Sequence, residues 1–303
     1  MRFAVQLPID HVREGREFVS REAIAEMARA AEVAGFDAVG VTDHPAPPAR
    51  WVAAGGHHGL DPFVALAFAA CATERVRLLT QVVVLPYRNP FLLAKSAASL
   101  DVLSNGRLVL GVAAGYLEAE FAALGADFAA RNDVADETLD VLREAWRGEP
   151  IERSGRGFVA KGVVQLPRPA QPDGPALWVG GNARRAIRRA VERADGWMPF
   201  PATERLARHT TTAPMTSLDD LRTGVGYARE HAATIGRTRP LDVCLVPFGF
   251  TVNDPTAETS RLADEIPLYA EAGVTWLAFT LPAPSRAAWC DGVAALGALA
   301  RAS

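Results

Sequence analysis

Short apolar runs alternate with longer, partly polar stretches along most of the chain. Eight runs are almost continuously apolar: residues 2–7, 38–42, 76–84, 107–113, 176–179, 196–200, 243–251 and 274–280. Strands that are covered on both faces in a parallel sheet have this composition, whereas a half-exposed strand alternates apolar and polar residues. The pattern therefore predicts eight parallel strands.

The stretches between the runs carry helix signals. In the first of these stretches, Ser20 can cap the start of a helix and Gly35 can end it. Between them, Ile24, Met27 and Ala31 lie on one face of the predicted helix. Strand–helix alternation repeated eight times favours a closed (β/α)8 TIM barrel. A doubly wound open sheet has the same periodicity and is the alternative fold.

Two connections are longer than the others, at about residues 115–175 and 201–242. The first contains a helix pattern and then a Gly- and Pro-rich tract with a strand-like segment at residues 157–164. Long excursions in a compact fold commonly lie over a functional face. No linker-like tract interrupts the chain, so we expect one domain over residues 1–303.

Composition narrows the class of protein. A net charge of −3 and a charged fraction of 22% argue against disorder and against a nucleic-acid-binding surface. No apolar run is long enough to span a bilayer, and the N-terminus turns polar too early for a signal peptide. Cys71, Cys244 and Cys290 form no CxxC pair, which indicates small buried residues in a reducing cytosol and no metal site. We expect a cytoplasmic protein without membrane or nucleic-acid partners.

In a barrel, chemistry is located where strands end and loops begin. Asp43 and His44 follow the second apolar run. A carboxylate next to an imidazole can anchor a ligand and move protons near neutral pH. The alternative is a pair that only fixes the turn before Pro45. His57 and His58 in the same loop can also reach the site, but no third residue at suitable spacing suggests a metal.

The third and fourth runs end irregularly. Thr80 and Gln81 interrupt the third run, which predicts either a bulge that presents its backbone to a planar ring or an ordinary kink. The fourth run ends in small residues from Gly111 to Gly115, which either leave room for a large ligand across the barrel mouth or allow close strand–helix packing.

The fifth run ends in a Gly180-Gly181 turn at the start of a predicted helix. Such a turn exposes backbone N–H groups that can hold a phosphate, and Arg184 or Arg185 can add positive charge. Tight turns without any ligand use the same residues, so this motif alone is weakly specific.

Several segments carry a wider resemblance: residues 86–95 (PYRNPFLLAK), 100–107 (LDVLSNGR), 120–125 (EFAALG), 136–137 (DE), 178–182 (WVGGN) and 195–197 (DGW). In this order they resemble the luciferase-like monooxygenase superfamily, specifically its oxidoreductases that depend on the deazaflavin coenzyme F420. The resemblance runs nearly from end to end. Ala113 and Tyr116 stand where that family often has Gly and Trp.

The resemblance implies a (β/α)8 barrel with a long insertion after strand four, commonly in a homodimer. It places the cofactor ring across the barrel mouth, against a bulge with a non-proline cis peptide at or beside Thr80-Gln81. It puts Asp43 near the cofactor and His44 near the reacting centre, as the two catalytic residues. The implied cofactor-binding residues are Asp43, Thr80, Gln81, Val82, Ala113, Gly115, Tyr116, Gly180, Gly181, Asn182 and Arg184.

The function implied by this resemblance is hydride transfer between coenzyme F420 and a small organic substrate. The protein would hold the ring and offer His44 as a proton donor or acceptor, while the redox chemistry belongs to the cofactor. One alternative is an FMN-dependent monooxygenase supplied by a separate flavin reductase. Another is a non-catalytic flavin-binding relative. Loops at residues 45–60, 115–130 and 201–220 would shape the substrate site.

Overall fold

The computed structural model describes residues 1–250 and 255–302. Its strands are β1 (Arg2–Gln6), β2 (Ala38–Val41), β3 (Arg77–Thr80), β4 (Val83–Val84), β5 (Leu108–Ala113), β6 (Ile151–Gly155), β7 (Phe158–Val163), β8 (Ala176–Gly180), β9 (Gly196–Met198), β10 (Asp242–Leu245) and β11 (Trp276–Phe279). Its α-helices are α1 (Arg21–Ala34), α2 (Ala49–Ala53), α3 (Pro62–Ala72), α4 (Pro90–Leu103), α5 (Glu118–Ala123), α6 (Arg131–Ala145), α7 (Arg184–Arg193), α8 (Glu204–His209), α9 (Leu218–Thr234), α10 (Pro255–Glu271) and α11 (Arg286–Ala302).

The main sheet closes into a barrel. Its strand order is β3-β2-β1-β11-β10-β9-β8-β5-β4, and a further pairing of β3 with β5 joins the two ends. β3 and β4 are two halves of one interrupted barrel strand, so the barrel has eight parallel strands and the open-sheet alternative is excluded. The (β/α)8 prediction is confirmed, and the predicted insertion is present between β5 and β8.

Each of the eight apolar runs contains a barrel strand, although the strands are generally shorter than the runs. The third run is divided between β3 and β4 by a cis peptide bond between Gln81 and Val82, directly beside the expected position. The seventh run, residues 243–251, yields only β10 (Asp242–Leu245), and its position 251 lies outside the described residues.

Side chains fill the inside of the barrel. Trp178 and Trp276 meet there edge to face, with ring centroids 5.0 Å apart, among small residues and aliphatic side chains. On β11, Trp276 belongs to this inner core while Leu277 packs in the outer layer against the helices, as the two-residue period of a strand requires. Both faces are therefore buried, which explains the unbroken apolar runs.

A close approach of two strands lies just below the barrel mouth. The Thr80 hydroxyl donates a hydrogen bond to the carbonyl oxygen of Gly111, at 2.7 Å. A Cβ atom at Gly111 would lie 2.0 Å from the Thr80 carbonyl oxygen, so only glycine fits here. The contact lies at the last residue of β3.

The helix signals are also confirmed. The Ser20 hydroxyl accepts a hydrogen bond from the Ala23 N–H, and Gly35 ends α1 in the left-handed conformation. The strand-like segment at 157–164 corresponds to β7, which pairs with β6 as an antiparallel hairpin. Cys71 is exposed, so the expectation that all three cysteines are buried is wrong. Among the described residues, no helix is long and apolar enough to cross a membrane.

Candidate active site

A cavity of about 480 Å³ opens at the carboxyl ends of the barrel strands. Nine of the residues expected in the site line it: Asp43, His44, Gln81, Val82, Ala113, Gly115, Tyr116, Gly180 and Gly181. They come from β2, β4, β5 and β8 or from the segments that follow or precede these strands. The closed barrel thus brings distant positions in the sequence to one rim.

Three expected site residues are not in the cavity wall. Thr80 is fully buried in its contact with Gly111. Asn182 is buried as well, and its side-chain amide donates hydrogen bonds to the carbonyl oxygens of Phe200 and Ala213, at 2.9 and 3.0 Å. The Arg184 guanidinium lies over the Tyr227 ring, 5.0 Å from its centroid. The other candidate in this helix turn, Arg185, does line the cavity.

Asp43 is held by Arg88. The Arg88 guanidinium donates to both carboxylate oxygens of Asp43, at 2.6 and 2.9 Å, and the Val84 N–H donates to one of them at 3.1 Å. The Asp43 side chain is only 1% exposed. Bidentate pairs of this kind fix the orientation of both groups. The arrangement ties the loop after β2 to the end of β4, and both oxygens already have donors.

His44 is paired with a buried carboxylate from the insertion. Its Nδ1 atom lies 3.3 Å from Oε2 of Glu120, and the Glu120 side chain is fully buried. Glu120 also accepts hydrogen bonds from the Tyr87 hydroxyl and the Ala46 N–H, each at 2.9 Å. Glu120 belongs to α5, and its hydrogen bonds with His44 and Ala46 join this helix to the loop after β2.

Glu120 is ionised at neutral pH. Burial opposes its charge, but hydrogen bonds from His44, Ala46 and Tyr87 outweigh burial and lower the pKa of the Glu120 carboxyl. Because an ionised carboxylate only accepts hydrogen bonds, Nδ1 of His44 carries a proton. Nε2 is then the ring nitrogen available for proton exchange, and no described residue forms a hydrogen bond with it.

Aromatic rings surround the imidazole of His44. Its ring centroid lies 4.6 Å from the Trp51 ring and 4.8 Å from the His57 ring. Tyr116 lines the same cavity, and burial together with the nearby charge of Glu120 raises the pKa of Tyr116 to about 12. Tyr116 therefore stays protonated and can donate a hydrogen bond across the physiological pH range.

The end of the cavity away from His44, where α7 starts, favours an anion. α7 starts directly after Ala183, and no side chain caps its first N–H groups. Gly181 has φ +118, and a Cβ atom there would lie 3.2 Å from the Cβ atom of Ala186, so glycine keeps this turn open. Uncapped N–H groups and the positive end of the helix dipole bind phosphate groups well.

Arginine side chains add positive charge at this end. Arg131, Arg185 and Arg189 all line the cavity. Arg185 donates to Asp133 at 2.5 Å and to Asp136 at 2.9 Å, while Arg189 also binds Asp136. Within the described residues, no carboxylate lies within ion-pair distance of Arg131. Arg131 therefore supplies uncompensated charge.

Sequence reasoning missed Glu120, Arg88 and Arg131 as functional residues. Glu120 and Arg88 lie within segments that carry the family resemblance, which was the only available signal for them. The pairs Asp43–Arg88 and His44–Glu120 join positions 45 and 76 residues apart, so no local spacing predicts them.

Comparison with known proteins identifies the family. The family model of luciferase-like monooxygenases matches residues 1–294. The chain belongs to the luciferase-like monooxygenase family. This family member is 33% identical over 240 residues to an uncharacterized protein of Mycobacterium tuberculosis, with 75% of this chain and 77% of that protein covered.

Solved structures share its fold, and two of them illustrate the similarity. An F420-dependent secondary alcohol dehydrogenase superposes with a TM-score of 0.74 at 18% identity, covering 97% of this chain and 98% of that chain. EDTA monooxygenase from a Chelativorans species superposes with a TM-score of 0.79 at 16% identity, covering 100% of this chain and 93% of that chain. At these identities the similarity establishes the fold alone.

Proposed function

We propose that this luciferase-like protein is an oxidoreductase that transfers hydride between coenzyme F420 and a small organic substrate. One observation carries the proposal: His44, which is paired with the buried Glu120, lies in the wall of a cavity whose other end is built for an anion. A proton-handling group and a phosphate-type site at opposite ends of one cavity suit a phosphorylated redox cofactor that reacts beside His44.

The residues present fit such a cofactor. Gln81 and Val82 break the third barrel strand and line the cavity, and Ala113 and Gly115 add little bulk on the neighbouring strand end. A flat ring can therefore lie across the mouth. A phosphate group can be held by the first N–H groups of α7, with Arg131 and Arg185 near it.

The chain's own residues then position the substrate and move one proton. F420 supplies a carbon centre that gives or takes hydride. When an alcohol is oxidised, Nε2 of His44 accepts the hydroxyl proton, and Glu120 stabilises the resulting imidazolium through Nδ1. In the reverse direction Nε2 returns the proton to the carbonyl oxygen. Trp51, His57 and Tyr116 surround this site and limit its access to water.

The FMN-dependent monooxygenase remains the alternative, because FMN also presents a flat ring and a phosphate. A deazaflavin has carbon where a flavin has nitrogen, so it passes hydride and activates dioxygen poorly. A purely flavin-binding relative without a reaction is disfavoured by the buried Glu120, because burying a charge is costly and ligand binding alone does not require a carboxylate beside the His44 imidazole.

Fluorescence titration of the purified protein with F420, FMN and riboflavin tests the proposal. We expect F420 to bind more tightly than FMN, and reduced F420 to be oxidised when a carbonyl substrate is added. Tight FMN binding without measurable F420 binding would refute the F420 assignment. F420 binding with unchanged turnover in His44→Ala would refute the role of His44.

We further propose that the protein acts as a cytoplasmic homodimer. α3 consists only of apolar residues and small residues, and three of its side chains are exposed at helical spacing: Val64, Phe68 and Cys71. An exposed apolar stripe on an otherwise buried helix is typical of an interface between subunits.

A further inference from the structure

His57 lies in the cavity wall next to His44, and the proton transfer described above does not use it. Its ring stands at 84° to the His44 ring and lies 5.4 Å from the Trp51 ring. The loop that carries it is tightly packed, since a Cβ atom at Gly56 would lie 2.3 Å from the Trp51 ring. These contacts fix the position of the His57 imidazole.

The hydrogen bond of His57 fixes its tautomer. Nδ1 lies 2.9 Å from the carbonyl oxygen of His58, which can only accept, so Nδ1 carries the proton. Burial lowers the pKa of His57, and the neighbouring His44 and His58 lower it further, while the His58 carbonyl and Asp10 oppose this shift. His57 is therefore neutral at pH 7, and its Nε2 is a hydrogen-bond acceptor.

No described residue donates a hydrogen bond to Nε2 of His57. A partly buried acceptor in a cavity wall discriminates strongly, because a ligand that cannot donate to it leaves the acceptor without water and without a partner. The neighbouring His44 has a different role, since its Nε2 exchanges a proton with the reacting group, whereas Nε2 of His57 only accepts a hydrogen bond.

We infer that His57 is a specificity-determining residue whose Nε2 accepts a hydrogen bond from a substrate hydroxyl or N–H next to the reacting carbon. The preferred substrates are then vicinal diols, amino alcohols or the corresponding hydroxy ketones. This inference rests on the proposed function for the identity of the reacting group. The acceptor state of His57 is independent of the proposed function.

The tautomer is tested first, on the full-length protein with and without F420. The chain has six histidines, so selective ¹⁵N-histidine labelling gives a spectrum that single His→Phe variants can assign. We expect the neutral ring of His57 at pH 7 with its proton on Nδ1. A proton on Nε2, or a charged ring, would overturn the inference whatever the enzyme's reaction is.

Binding of matched probes is tested second. The three probes share one secondary alcohol and differ at the neighbouring carbon. Butane-2,3-diol has a second hydroxyl there, which can donate a hydrogen bond. Butan-2-ol has no polar group there, and 3-methoxybutan-2-ol has a methoxy group, which can only accept. We expect the diol to bind roughly five- to tenfold more tightly than the other two and to shift the Nε2 resonance of His57. An equal affinity for all three probes in the wild-type protein contradicts the inference.

Variants separate a hydrogen bond from simple packing. His57→Phe keeps an aromatic ring and should lose the preference for the diol. His57→Gln should keep diol binding but also bind the methoxy compound, because an amide both donates and accepts. His58→Phe is the matched control and should keep the diol preference, since the hydrogen bond of His57 goes to the backbone carbonyl of His58, which the substitution retains. A diol preference that survives in His57→Phe would overturn the inference.

The outcomes distinguish this inference from the proposed function. If the diol preference depends on His57 but F420 neither binds nor reacts, the proposed function fails and the role of His57 stands. If F420 is reduced or oxidised normally while the three probes bind alike, the proposed function stands and the role of His57 is refuted.

Discussion

Nδ1 of His44 lies 3.3 Å from Oε2 of Glu120, although 76 positions separate the two residues. Glu120 is itself held by Tyr87 and by the Ala46 N–H. The orientation of His44 is therefore set by the insertion, and the barrel strands alone do not determine it. Residues that orient a proton-transferring imidazole in this way commonly matter as much as the imidazole itself.

We accordingly expect Glu120→Gln to lower turnover roughly hundredfold while leaving the affinity for the cofactor nearly unchanged. The amide cannot accept from all three donors that the carboxylate serves, and it no longer stabilises an imidazolium. Steady-state kinetics and cofactor titration measure the two effects. Glu118→Gln makes the same change at an exposed neighbouring position of α5 and should have no effect. Equal turnover in the two variants would contradict the role of Glu120.

Asp43 was expected to be catalytic, and this role stays a prediction. Because Arg88 occupies both of its oxygens, we expect Asp43→Asn to act mainly on stability and to lower the free energy of unfolding by about 3 kcal/mol. Urea denaturation followed by circular dichroism measures this change. Asp61→Asn is the control, because Asp61 is about half exposed and lies 3.4 Å from Arg88, and it should cost less than about 1 kcal/mol. A loss of turnover in Asp43→Asn with unchanged stability would instead support the catalytic role.

The fold was predictable because every barrel strand is buried on both faces and therefore appears in the sequence as a short apolar run. The exact residue at which each strand ends was not predictable, because an apolar run can continue beyond the paired part of the strand. The seventh run does so after β10. Residues in the cavity wall were predictable where they follow strand ends, as at His44 and Gly181. Arg184 and Arg185 show the limit: adjacent helix residues point about 100° apart, and only the structure shows that Arg185 lines the cavity.

This difference between two adjacent arginines is testable. Arg185→Ala should weaken FMN and F420 binding roughly fivefold, because a guanidinium near the phosphate is lost, while riboflavin binding should not change. Arg184→Ala should leave all three affinities within about twofold, since its side chain lies over Tyr227. Fluorescence titrations of the three ligands give the comparison. A larger effect of Arg184→Ala than of Arg185→Ala would reverse the assignment.

The contact between α6 and α7 should make the protein sensitive to acid. Burial opposes the charge of Asp136, but Arg189 and Arg185 outweigh burial and lower the pKa of its carboxyl below the ordinary value of 3.8. A lowered pKa in the folded state means that the unfolded chain binds the proton first. The stabilisation is complete above pH 3.8 and is lost as the pH falls through the lower folded-state pKa. The free energy of unfolding should therefore fall less steeply below about pH 4 in Asp136→Asn than in the wild type. Parallel curves for the two proteins would contradict this role of Asp136.

The exposed stripe on α3 leads to a prediction about assembly. Val64 is 57% exposed and Phe68 is 42% exposed, one helical turn apart on a helix without a single charged residue. If this face is the subunit interface, a carboxylate there must lose its hydration when the subunits associate, which opposes dimerisation. We expect Phe68→Glu to sediment as a folded monomer in analytical ultracentrifugation, with a circular dichroism spectrum like that of the wild type. Ile235→Glu introduces the same charge at an exposed apolar position after α9 and should remain dimeric. A monomeric wild-type protein, or a dimeric Phe68→Glu variant, would exclude α3 as the interface.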